Sequence, residues 1–394
     1  MQVNSSYRDI LGVALPVIVG SIATTVLNVT DSAFLGRIGE IELGASAIGG
    51  VLYFTFAMIG MSIGTGTQIL IARRAGEKDH AAIGPVFDQS MVILGVLGIA
   101  LFSVLSLVIP YALQYLIKDR QVVEAVKTFL AYRSFGLLFL MLATVFRSFY
   151  VGIAQAKVFA YYSFIMALLN VLFCYAMVFG HWGFHAMGIA GAGLASSLSE
   201  GIALVFLLAW TAGRRDIKEY RLLRFDSLSA DLREKLITLS APLVIQNLLS
   251  MGAWFFFFLF IEKLGTHELA ISNAVRGTYM IAMTPIWGFS VAANSMSSNL
   301  IGQKRKEEVM KLIHKILLLA LSLTTLMALL MLLLPETLLG IFTNDPQLIA
   351  DSLGTLHIVI GSMFFFSWAI VLVSAVSGTG ATRMAMYLET AAIV

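Results

Sequence analysis

Apolar residues fall in long runs along the chain, at residues 11–36, 44–72, 86–117, 123–152, 157–180, 187–212, 236–261, 270–298, 313–342, 347–377 and 384–394. The runs are about twenty residues or longer and do not alternate, which predicts membrane-crossing α-helices rather than the strands of a β-barrel. Ten full spans and the beginning of an eleventh are expected. The first run is too long for the apolar region of a signal peptide and has no basic segment before it, so it reads as a retained helix. The last run reaches Ile393 and Val394. A helix end left in lipid would be unsatisfied, so a truncated sequence is inferred there.

Composition narrows the class. Of 394 residues only 12% are charged and 59% are hydrophobic, too few charges to cover a soluble surface of this size. A cytosolic enzyme, a disordered chain and a disulfide-rich secreted domain are excluded. The single cysteine, Cys174, cannot form an internal disulfide.

The net charge of +3 matters less than its placement. One alternating set of connections carries 18 Lys and Arg, including Arg73, Arg74, seven between Arg214 and Lys235, and Lys304 to Lys306; the other set carries 5. This bias places the N-terminus and the connections after even-numbered spans in the cytoplasm. Residues 214–235 then form a cytoplasmic linker between an N-terminal half of six spans, 1–213, and a C-terminal half, 236–394.

The halves align at a shift of 226. Over Asp9 to His80 there are nine identities in 72 positions, among them Pro16 on Pro242, Gly39 on Gly265, Glu42 on Glu268, Gly76 on Gly302 and Lys78 on Lys304. Both halves begin on the same side of the membrane, so the repeat is parallel, with an axis along the membrane normal. The expected fold is an all-α polytopic membrane protein: two parallel six-helix repeats around a central cleft, the second cut off in its fifth span.

Several stretches resemble the MATE (multidrug and toxic compound extrusion) transporters. Asn28-Val29-Thr30-Asp31-Ser32-Ala33-Phe34-Leu35-Gly36-Arg37-Ile38-Gly39 is similar to that family's first-helix signature. The prolines opening the first and seventh spans, Gly76-Glu77-Lys78, the run 149–157, the Gly188 to Ser196 segment and the Ser377 to Arg383 exit fit the same order and spacing. The motifs look closer to the DinF-like branch than to the NorM-like one. The resemblance implies a bacterial inner-membrane antiporter that exports amphipathic, often cationic drugs in exchange for protons or sodium. It would act as a monomer among membrane lipids, with no nucleic acid and no cofactor beyond the coupling ion. A lipid-linked oligosaccharide flippase of the same superfamily is the alternative.

Asp31 is the sharpest chemical feature. An acid inside a span normally faces the bundle interior, with Asn28 and Thr24 expected on its face. A carboxyl that can take a proton or a cation is what an antiporter needs, and sodium at Asp31 is the one metal considered. Asn170 and Ser196 match polar positions of the family's amino-lobe cation site, with interhelical hydrogen bonding the plainer reading of both. The family often has an acid or amide where Cys174 stands, a departure that weakens a sodium site more than a protonation site. Glu200, one helical turn from Ser196, could share a proton network with Asp31, face the cleft, or be a protonated structural acid. Gln68, Gln246, Asn247 and Asn294 are candidate cleft positions. Asp88 reads as a helix N-cap or dipole partner. Arg147 and Arg276 read as headgroup anchors that snorkel. Gly60 and Gly64 read as packing, and the aromatic runs at 254–258 and 364–366 as mostly lipid-facing. An enzyme is not expected, since no metalloprotease, phosphate-loop or nucleophile-elbow motif occurs.

Overall fold

The computed structural model describes residues 2–226, 228–343 and 345–393, with the side chain of Ile393 left out; Val394, the last residue of the final expected span, lies outside the described residues. Every described element is helical. The long helices are α1 Tyr7–Gly36, α2 Glu40–Glu77, α3 His80–Leu116, α4 Arg120–Gly152, α5 Lys157–Phe179, α6 Ile189–Gly213, α7 Ala230–Leu264, α8 Thr266–Gly302, α9 Glu307–Leu333, α10 Pro346–Gly378 and α11 Thr382–Ile393.

Local chemistry sets the helix ends. Ser6, Asp119, Ser229 and Asp345 each accept a backbone N–H of the first turn that follows, at 2.8–3.2 Å, which satisfies donors that no helix can pair internally. The expected run 313–342 breaks after Leu333, where Pro335 cannot continue an α-helix, and resumes as the short helix Pro335–Leu339.

Nine helices among the described residues are long and apolar enough to cross a membrane. The remaining one of the ten expected full spans, the eighth, is α8, 37 residues long but below that hydropathy. Its last turns carry Asn294, Ser295, Ser297, Ser298 and Asn299, all buried in protein rather than lipid. Polar residues are tolerated in such a helix because they bond to its neighbours.

Those bonds run to α2. Ser298 Oγ donates to the Ile69 carbonyl at 2.7 Å and Asn299 Nδ2 to that of Ala72 at 3.0 Å. A Cβ on Gly76 would stand 2.1 Å from the Asn299 carbonyl oxygen, and one on Gly302 would stand 2.1 Å from that of Arg73. The contact is reciprocal: Gly76 meets Asn299 as Gly302 meets Arg73, a pattern that a two-fold relation between two helices produces. Around this junction Ile10, Val13, Ala14 and Val17 of α1 share a core with Phe289, Ala292, Met296 and Leu300 of α8. A separate, larger core fills the interior of α2 to α6, and a third lies among α8, α9 and α10.

The segment after α6 is docked on the same end of the bundle, here termed the linker end. Asp88 accepts the backbone N–H groups of Leu223, Arg224 and Phe225 at 2.7–2.9 Å. Arg221, Leu223 and Phe225 have positive φ, the alternation that turns successive N–H groups into an anion-binding concavity. This corrects the expectation that Asp88 caps its own helix: it anchors the linker instead.

Candidate functional site

Two polar sites stand apart in the bundle. The first lies among α1, α5 and α6. Asp31 sits five residues before the end of α1, and its carboxylate turns inward between two donors. The Cys174 thiol donates to Oδ1 at 3.2 Å and the Ser196 hydroxyl to Oδ2 at 3.0 Å. Asn170 Nδ2 donates to the Ser196 oxygen at 3.1 Å, so Asn170 reaches Asp31 through that hydroxyl. Helical spacing explains the convergence: Asn170 and Cys174 are four residues apart on α5, one turn of one face. Asn170 and Cys174 are fully buried. Asn170 Oδ1 is buried too and meets no donor. Asn28, expected beside Asp31, is exposed, and Thr24 bonds only back to the Gly20 carbonyl.

Glu200 lies one turn along α6 from Ser196 but joins a different cluster. Arg133 of α4 grips it in a bidentate pair at 2.8 and 3.0 Å, and the Tyr53 hydroxyl of α2 donates to it at 2.9 Å. The Arg133 guanidinium also stacks 3.5 Å from the Tyr53 ring centroid. Glu200 therefore neither lines the cleft nor bonds to Asp31. Its buried charge is matched by a full set of donors, the condition under which such a pair is tolerated.

The second site is a cavity of ≈ 250 Å³ between the α2–α4 side and the α7, α8, α10 and α11 side. It lies in the linker-side half, ~12 Å above the Gly76–Gly302 junction by helix rise. All four expected cleft residues, Gln68, Gln246, Asn247 and Asn294, line it. Gln68 Nε2 donates to Asn294 Oδ1 at 2.9 Å, and Asn247 Nδ2 to Ser62 at 2.8 Å. Two charged residues complete the lining, Arg147 and Glu389. Glu389 accepts from Gln246 and from Ser250 Oγ.

Arg147 is a correction. The expected headgroup anchor turns into the protein, because its position on α4 faces α2 and α5 rather than lipid. Its Cζ lies 5.0 Å from the Phe159 centroid. Arg276, by contrast, is exposed and stacks on Phe258, as an anchor would. Glu389 was missed; an acid two turns into the last apolar run meets the same criterion that singled out Asp31. Cys174 was read as a lost oxygen ligand, whereas its thiol is a donor to the acid.

The family model for MatE matches residues 16–176 and 242–394. The chain belongs to the MatE family. A relative from Photorhabdus laumondii, named "Probable multidrug resistance protein NorM", is 23% identical over 391 residues, 96% of this chain and 83% of that one. One of the same name from Thermotoga maritima is 22% identical over 387 residues, covering 98% and 83%. A solved structure described as the outward-facing conformation of a multidrug resistance MATE family transporter of the MOP superfamily superposes with a TM-score of 0.91 at 18% identity, over 97% of this chain and 84% of that one. The fold, with its apolar helices, is that of a multi-pass membrane protein of this family. These two relatives both carry the NorM name.

Proposed function

We propose that this protein is a secondary active antiporter of a bacterial inner membrane. It exports amphipathic compounds, cationic ones among them, in exchange for protons or sodium, as a monomer with a cytoplasmic N-terminus and no cofactor besides that ion. The names of its relatives support the export of varied small molecules. The observation that carries the coupling is Asp31, an acid held inside the helix bundle by two neutral donors, with no ion pair to it among the described residues. Such a carboxylate is unstable in hydrocarbon until it takes a proton or a cation. The undonated Asn170 Oδ1 beside it offers one further hard oxygen to either. Substrate has a place of its own in the cavity lined by Gln68, Asn294, Gln246 and Asn247. An ion site and a substrate site on separate helices let occupancy of one bias the conformation that serves the other.

The flippase reading calls for several basic groups on the path of an anionic headgroup. Of the two inward arginines, Arg133 is neutralised by Glu200 and Arg147 alone lines the cavity, which favours the antiporter. The test is dye transport in proteoliposomes, with proton and sodium gradients imposed separately. Uptake against the dye gradient with one ion supports exchange and names the ion. Uptake unaffected by either gradient, with scrambling of a fluorescent polyprenyl-phosphate sugar, would favour the flippase.

A further inference from the structure

Charges inside a membrane helix bundle nearly always have a partner, because an unpaired one is costly there. Arg133 meets this rule through Glu200. Arg147 does not. Its Nε is buried without an acceptor, and among the described residues no carboxylate lies within ion-pair distance of it. From α5 the Phe159 ring face stacks on it, with Tyr162 nearby. Yet the guanidinium borders a cavity rather than lipid, and the cavity wall is rich in Gln, Asn and Ser. Gln246 Oε1, on the opposite wall, is likewise buried without a partner. Across the cavity stands Glu389, the only other charged residue that lines it among the described residues. The two charges come from opposite sides of the cleft, α4 and α11, and among the described residues no ion pair joins them.

We propose that Arg147 is a carboxylate-binding subsite of the transport cavity, and that the preferred substrates are amphiphiles bearing a carboxylate as well as a positive group. The carboxylate sits on the Arg147 guanidinium and the positive group faces Glu389. This rests on the reading of the cavity as the export path and sharpens it, since a purely cationic drug would leave Arg147 unmatched and be repelled by it. A planar guanidinium with its donors unused is preorganised for a bidentate carboxylate, and in a low-dielectric cleft such a bond is strong. Phe159 fixes the plane of the group, so little side-chain freedom is lost on binding. A substrate with both charges neutralises both walls at once, which removes an obstacle to closing the two sides over it.

The test uses a matched pair of dyes that differ only at the carboxyl: rhodamine 110, with a free carboxylate, and rhodamine 123, its methyl ester. Binding to the full chain in nanodiscs is read by fluorescence polarisation. Wild type is expected to bind rhodamine 110 more tightly than rhodamine 123, by at least roughly tenfold, the worth of a hydrogen bond to a charged group. Arg147→Gln removes that preference while rhodamine 123 binds as well or better. Arg147→Lys, which keeps the charge and loses the fork, retains a smaller preference in the same direction. Glu389→Gln weakens both dyes alike. Equal wild-type affinity for the two dyes, or an unchanged preference in a folded Arg147→Gln protein, would overturn the carboxylate subsite alone. Failure of wild type to bind either dye would overturn the cavity as a substrate site, and the export reading with it.

Discussion

Within the bundle the fate of each ionisable residue depends on which neighbours its helix face meets. Arg133, Glu200 and Tyr53 form a compact set, three side chains from three helices in which both Glu200 oxygens are bonded. Removing one charge leaves the other buried alone. Glu200→Leu or Arg133→Met should each cost about 3–5 kcal/mol of stability, whereas the double substitution should recover most of the loss, because an apolar pair of similar volume replaces a compensated ion pair nearly without penalty. Denaturant-induced unfolding in detergent micelles measures this. Additive losses in the double variant would contradict the pairing as the source of the effect. Asp31 was legible in the sequence, since an acid in an apolar run must turn inward. The direction of Arg147 was not. Distance from the helix end says that a side chain can snorkel; it does not say whether the helix is rotated towards lipid or towards a cleft.

At the level of elements, the apolar runs placed nearly every helix, and Pro335 explains the one that breaks. The amphipathic character of α8 was less visible. Its linker-end half is too polar for an average span because it is clothed by α2 and α10 rather than by lipid. That packing depends on glycine. At Gly76 a methyl group would meet a backbone oxygen at 2.1 Å, while a Cβ at Gly44 of the same helix meets nothing within 4 Å. Gly76→Ala should destabilise by about 1–3 kcal/mol, the cost of overpacking where backbone cannot yield. Gly44→Ala should be neutral or stabilising by up to roughly 1 kcal/mol, the helix-propensity gain. Thermal unfolding of the purified variants separates the two. Equal shifts would mean that α2 and α8 are not in backbone contact.

For the molecule as a whole, Gln68 and Asn294, which the shift of 226 matches, are hydrogen-bonded to each other. The same shift pairs Asp31 with Phe257, which is exposed, so the acid has no counterpart at its matched position. Under the proposed antiport the N-terminal half would sense the ion through Asp31 and both halves would hold the cargo. The basic connections predict an orientation with the N-terminus in the cytoplasm. Single cysteines placed near Arg74, Arg215 and Lys306 in a chain with Cys174 replaced should react with an impermeant maleimide only from the cytoplasmic side, and those near Gly39 and Gly265 only from outside. Labelling of the Arg74 and Lys306 connections from opposite sides would break the parallel arrangement. The central claim is that Asp31 links ion entry to export. It is tested most directly by Asp31→Asn in proteoliposomes, scored for dye binding at equilibrium and for dye uptake under an imposed ion gradient. Asparagine keeps the shape and polarity of the protonated acid and cannot titrate. The account predicts near-normal reconstitution, dye binding retained within a few-fold, and loss of gradient-driven uptake; uptake at the wild-type rate would contradict it and leave Asp31 a structural acid.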